Sequence, residues 1–134
     1  MSTLRTLRFG LVLGALAVTS GCIVNTTPDN SPGSVELDWT INGGIDPNYC
    51  SLSAAASFRA TIYDSRGASV GSYDSACSNF AMVVDLQPGT YTADALFVDS
   101  GGKARTTTAK LVPFTVYRNQ VTTVPTDFPT NSFF

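Results

Sequence analysis

Val35, Leu37, Trp39 and Ile41 alternate strictly with Glu36, Asp38 and Thr40. A period of two sends alternate side chains to opposite faces, so this segment reads as a strand with one buried and one wet face. The alternation returns in Phe58, Ala60 and Ile62 against Arg59, Thr61 and Tyr63, and again in Phe80, Met82, Val84 and Leu86. Turn residues stand between the runs: Asn42-Gly43-Gly44, Asp64-Ser65-Arg66-Gly67, Gln87-Pro88-Gly89-Thr90 and Asp99-Ser100-Gly101-Gly102. Pro fixes φ and Gly admits positive φ, which is what chain reversals need. Further strands are expected over Ala68–Tyr73, Tyr91–Val98 and Lys103–Val112. Phe114–Tyr117 and Val121–Val124 read as two pieces of one last strand, interrupted by Arg118-Asn119-Gln120. Ser51–Ser57 has room for a single helical turn. About seven short strands with regular turn signals predict an all-β fold, a single antiparallel β-sandwich over residues 35–128.

The N-terminus carries a different signal. Arg5 and Arg8 precede the apolar run Phe9–Val18, and small residues follow, the layout of a secretory signal over residues 1–21. The run is much shorter than the ~20 apolar residues of a membrane-spanning helix. Val18-Thr19-Ser20-Gly21-Cys22 resembles the lipobox of signal-peptidase-II substrates, although Thr19 stands where those proteins usually have leucine. The resemblance implies lipid attachment at Cys22 and stable membrane anchoring through more than one acyl chain. Ile23, rather than Asp, follows the cysteine. By analogy with enteric bacteria, that implies an outer-membrane location, with the domain lipid-anchored on the periplasmic side or the cell surface. Residues 22–34, rich in Asn, Thr, Pro, Ser and Gly, form the anchor and a flexible tether.

Cysteine arithmetic agrees with this reading. The chain has three cysteines, an odd number. With Cys22 acylated, Cys50 and Cys77 remain as one pair in an oxidising compartment, expected to tie two loops together at one end of the sandwich. They lack the CxxC spacing of a redox pair.

Composition narrows the chemistry. Removal of residues 1–21 leaves 113 residues, enough for one domain. Of the eight Lys+Arg, two leave with the signal, so six face ten acidic residues and the net charge is −4. Such a chain has no footprint for nucleic acid and no basic patch for anionic lipid. It contains no histidine, the commonest general base and metal ligand. The spacing of Asp64 and Asp99 does not match a calcium loop. Both are read as turn residues bonding their own backbone. No cofactor and no metal are expected. Carboxylates for a glycoside hydrolase would have to come from residues such as Asp38, Asp46, Asp74 or Asp94. The only lysines after the signal, Lys103 and Lys110, lie in a Thr- and Gly-rich stretch.

Leu86-Gln87-Pro88-Gly89-Thr90-Tyr91, followed by Ala95, Phe97, Asp99 and Gly101, resembles the L-x-P-G-x-Y segment of transthyretin-like and carboxypeptidase-regulatory-like sandwich modules. The segment also recurs in collagen-adhesin B-type repeats, whose isopeptide triad is not found here. The resemblance implies an immunoglobulin-like or transthyretin-like sandwich, with Tyr91 as a tyrosine corner bonding back to upstream backbone. The paired cysteines, Trp39-Thr40-Ile41-Asn42-Gly43 and Ala104-Arg105-Thr106-Thr107-Thr108 also give the chain a likeness to small β-rich lipoproteins of myxobacteria and related bacteria.

These features point first to a non-catalytic binding or structural module of the cell envelope, with a protein partner or an envelope assembly. The alternative is a glycan-binding module whose surface includes Tyr49, Tyr63 and Tyr73, and grouping of the three on one face would favour it. A small hydrolase comes last. Trp39 shares parity with core residues and is read as core rather than as a sugar platform. The Thr-rich segment 106–108 is a candidate open edge strand for β-augmentation. The terminal Phe133 and Phe134 are expected to fold back over the core, or else to serve as a docking peptide.

Overall fold

The structure, a computed structural model, describes residues 28–134. Residues 1–21, read as a secretory signal, and Cys22 lie outside the described residues. No helix among those residues is long and apolar enough to cross a membrane.

Eight strands form among the described residues: β1 Gly33–Ile41, β2 Ser57–Asp64, β3 Ser69–Ala76, β4 Ala81–Leu86, β5 Gly89–Val98, β6 Ala109–Lys110, β7 Phe114–Val116 and β8 Val121–Phe128. A one-turn helix, α1, covers Asn48–Leu52, starting three residues before the segment expected to turn. The strands make two sheets, β4-β1-β8 and β3-β2-β5-β6, with β7 also on β5. They pack as the expected β-sandwich. All strand pairs are antiparallel except β1–β8, which runs parallel. The period-two pattern decides which side is core: Val35, Leu37, Trp39 and Ile41 from β1 face Phe58, Ala60 and Ile62 from β2 and Ala93, Ala95 and Phe97 from β5.

Aromatic packing is concentrated toward one end. Trp39 stacks on Phe58 at 4.1 Å between ring centroids, and Phe97 meets Phe128 edge-to-face at 4.8 Å. The indole Nε1–H donates to the Cys77 carbonyl oxygen at 2.9 Å, so Trp39 is a core residue with its one polar atom satisfied. The Cys50–Cys77 disulfide sits at this end, with the two Cα atoms 5.9 Å apart. It joins α1 to a 3-10 turn over Cys77–Asn79, both outside the strands, as the sequence led one to expect.

Three sequence-based expectations are corrected. Phe114–Val116 and Val121–Phe128 are not pieces of one strand: β7 pairs with β5 in one sheet, and β8 pairs with β1 in the other. The intervening turn carries the chain across, with Gln120 N–H donating to Tyr117 O and Asn119 at φ 54°. Lys103–Val112 is not a continuous strand either. It touches β5 through bridges at Ala104 and the two-residue β6. Between them the Thr106 hydroxyl takes the place of a backbone carbonyl and accepts from Phe97 N–H at 3.0 Å. Thirdly, the segment 106–108 is no open edge: Thr106 bridges Phe133, and Thr107 N–H donates to Ser132 O at 2.9 Å. The tail folds back as expected for Phe133, which packs on Phe97 at 5.6 Å, whereas Phe134 stays exposed.

β1 also begins two residues inside the stretch assigned to the tether. Gly33 permits this, because a Cβ there would collide with the Tyr117 carbonyl. Asn119 N–H and Ser34 N–H bind Pro32 O and Gln120 O, fixing the chain's entry at the end opposite the disulfide.

Candidate functional site

The outer face of the larger sheet is built from residues of one parity. On β2 these are Arg59, Thr61 and Tyr63, which alternate with the buried Phe58, Ala60 and Ile62. The register sets Thr61 between Ser72 of β3 and Asp94 of β5, and Asp94 opposite Lys110 of β6. Four strands therefore contribute one polar row, Ser72-Thr61-Asp94-Lys110. Its members bond across strands: the Thr61 and Ser72 hydroxyls are 2.9 Å apart, and Lys110 Nζ lies 3.2 Å from Asp94 Oδ1. In the next row Tyr63 stands opposite Thr92.

These rows border a depression of about 490 Å³, lined by Tyr63, Gly67, Thr92, Asp94, Lys110, Leu111 and Pro113. Depressions of about 570 Å³ at the disulfide end and about 320 Å³ beside Phe114 share the ~300–1,000 Å³ range of small-ligand sites, so what distinguishes this one is an aromatic ring beside an ion pair. Two local irregularities shape it. The β2–β3 register jumps from Ile62–Gly71 to Tyr63–Ser69, a bulge that turns the strand beside Tyr63. The turn after β2 is closed by Asp64, whose Oδ1 accepts from Arg66 N–H at 2.9 Å and Ala68 N–H at 3.0 Å, with Gly67 at φ 81°. Among the described residues, no hydrogen bond holds the Tyr63 hydroxyl. The groove thus combines an aromatic ring, apolar Leu111 and Pro113, hydroxyl groups and one ion pair with unspent donors and acceptors.

The three tyrosines expected to share a binding surface do not share one. Tyr63 lies on the outer face. Tyr73 stands opposite Ala60 in the register and packs against the core. Tyr49 lies on α1 at the disulfide end, also against the core. The pleat separates Tyr63 from Tyr73, since the two residues have opposite parity in paired strands. Sequence reasoning singled out Tyr63 but not Thr92, Asp94 and Lys110 as its neighbours.

Tyr91 makes the expected corner, its hydroxyl donating to Gln87 O at 2.7 Å. Burial pushes its phenol above the ordinary value, and the nearby Asp64 and Tyr73 act in the same direction. The acidic side chains weighed for calcium (Asp64, Asp99) or for catalysis (Asp38, Asp46, Asp74, Asp94) are held by partners of their own, Asp38 excepted. Backbone N–H groups of Ala68 and Arg66 hold Asp64 below its usual range, and those of Lys103 and Gly101 do the same for Asp99. Both are turn residues, as read from the sequence. Hydrogen bonding from Arg59 lowers Asp74, with Arg59 Nε at 2.7 Å and Nη2 at 2.8 Å. Asp46 accepts from Asn48 N–H at 2.9 Å at the head of α1. Asp38 lies on the outer face of the other sheet, opposite Ala81 and Pro125. No cluster of three or more metal-ligating side chains occurs among the described residues.

No protein-family model and no curated protein matches the chain. Among solved structures, a DUF1812 protein from Bacteroides thetaiotaomicron, a candidate polysaccharide binding protein, is similar. The likeness has 12% identity and a TM-score of 0.41, over 69% of this chain and 46% of that one. The chain spans about half the length of that protein.

Proposed function

We propose that this chain is a non-catalytic, glycan-binding module of the cell envelope, held at the outer membrane by lipid on Cys22. The observation that carries the reading is the open groove beside Tyr63, where an aromatic side chain, two apolar walls and cross-strand polar groups meet on one sheet face. Sugars present apolar C–H faces and rings of hydroxyls, so an aromatic ring beside paired donors and acceptors suits them. The anchoring residue precedes β1, which starts at the end opposite the disulfide. A lipid on Cys22 would therefore tether the domain by that end of β1. A protein partner is the second reading. It rests on Ile45 and Leu52, apolar side chains left exposed around the disulfide end.

Two measurements test this. Tyr63→Ala is expected to lower the affinity of the chain for its polysaccharide by tenfold or more, at ~1.4 kcal/mol per tenfold. Tyr63→Phe, which keeps the ring, is expected to retain most of it. Affinity electrophoresis with polysaccharide in the gel reads both, and equal retardation of wild type and Tyr63→Ala would refute this face as the site. Separately, Cys22→Ser is expected to move the protein from the membrane to the soluble fraction. Retention in the membrane pellet would refute the anchor.

A further inference from the structure

Charge is distributed unevenly over the two outer faces. On the smaller sheet, Glu36, Asp38, Asp85 and Asp127 lie on β1, β4 and β8, strands that contain no Lys or Arg. On the larger sheet each cation is already matched: Arg59 binds Asp74 through two contacts, and Lys110 binds Asp94 across the β5–β6 pair. In the turns, Arg66 pairs with Asp64 and Arg118 with Asp29, while Lys103, after the Asp99–Gly102 turn, is in no ion pair among the described residues. Arg105 donates to the Ser53 and Phe134 carbonyl oxygens.

Within the glycan-binding reading, on which this step rests, we infer that the groove takes an uncharged polysaccharide and excludes acidic ones. An anionic glycan would approach a surface with a net charge of −4 from residue 22 onward. A glycan carboxylate that took a free Lys110 N–H would also stand beside the Asp94 carboxylate, a like charge. A neutral sugar meets no such repulsion. Lys110 Nζ carries three N–H donors and is largely exposed, at 83%, while Asp94 is 28% exposed and keeps free lone pairs. One hydroxyl of a pyranose can donate to Asp94 while its neighbour accepts from Lys110, leaving the ion pair intact. The C–H face of the same ring then rests on Tyr63, with Thr92 at the side. The pair works as a hydroxyl reader, and the positive charge itself is not what selects the ligand.

The test is affinity electrophoresis of the detergent-purified full chain against soluble neutral glucans (dextran, β-1,3-glucan, mixed-linkage β-glucan) and acidic polymers (alginate, polygalacturonate). Each is run at low and at physiological salt. Retardation by a neutral glucan, unchanged by salt, with none by the uronans, is the expected result. Lys110→Gln, which keeps a donor and loses the charge, is expected to weaken that binding by less than about threefold, roughly 0.6 kcal/mol at ~1.4 kcal/mol per tenfold. Asp94→Ala is expected to weaken it about tenfold. Retardation by a uronan that fades with salt and disappears in Lys110→Gln would overturn the neutral assignment and leave the groove as a glycan site. Retardation by none of the polymers would overturn the glycan reading itself.

Discussion

Replacing both Cys50 and Cys77 with alanine is expected to lower the unfolding free energy by about 3.5 kcal/mol. The bond closes a loop with a sequence separation of 27 residues, and the chain-entropy relation gives that value for a loop of this length. A single domain is stable by about 5–15 kcal/mol, so the loss is a large share of the total. For a domain near this size it corresponds to a fall in melting temperature of roughly 15–25 °C. The disulfide's position adds a structural reason. Neither α1 nor the Cys77–Asn79 turn belongs to a sheet, and the crosslink is what joins them covalently. Calorimetry of the oxidised wild type and the double variant measures the effect. A shift of only a few degrees would mean that packing alone holds this end.

The second large effect is expected at Trp39. Its side chain is 1% exposed, stacks on Phe58 and donates to the Cys77 carbonyl oxygen. Trp39→Ala removes the largest side chain of the core and is expected to cost about 3–5 kcal/mol. Trp39→Phe keeps an aromatic ring but strands that carbonyl, and about 1–2 kcal/mol is expected from the lost bond. Because the indole bonds to a disulfide cysteine, the two perturbations are expected to be non-additive. Combining Trp39→Phe with the cysteine double variant should cost less than the sum. Urea titrations of the four proteins test this, and strict additivity would contradict mechanical coupling between the core and the disulfide end.

The core was legible in the sequence because half-buried strands write their burial into parity. Val35 to Ile41 and Phe58 to Ile62 identified their inner faces without any knowledge of partners, and Tyr63 fell on the outer one for the same reason. Parity is silent on which sheet a strand joins. Phe114–Val116 and Val121–Val124 share a strand-like composition. The turn between them, with Asn119 in the left-handed region, could continue one sheet or cross to the other. Non-local pairing settles it: β8 lies parallel beside β1, more than eighty residues away in sequence. The Thr-rich stretch after Gly102 misled for a different reason. Threonine favours strands, yet its hydroxyl can replace a backbone acceptor, as Thr106 does beneath Phe97. The groove was only partly legible. Asp94 and Lys110 are sixteen residues apart, and they meet because a two-residue strand lies against β5. No local pattern announces so short a ladder.

The outer face around Tyr63 is proposed to bind an uncharged polysaccharide. The most direct test is a backbone amide NMR titration of the full chain in detergent with a soluble neutral glucan oligosaccharide. Saturable shifts are expected at Tyr63, Gly67, Thr92, Asp94 and Lys110, with Glu36, Asp38 and Val83 on the opposite face unmoved. Shifts centred on Ile45, Leu52 and the disulfide end, or no shifts at all, would contradict the proposal.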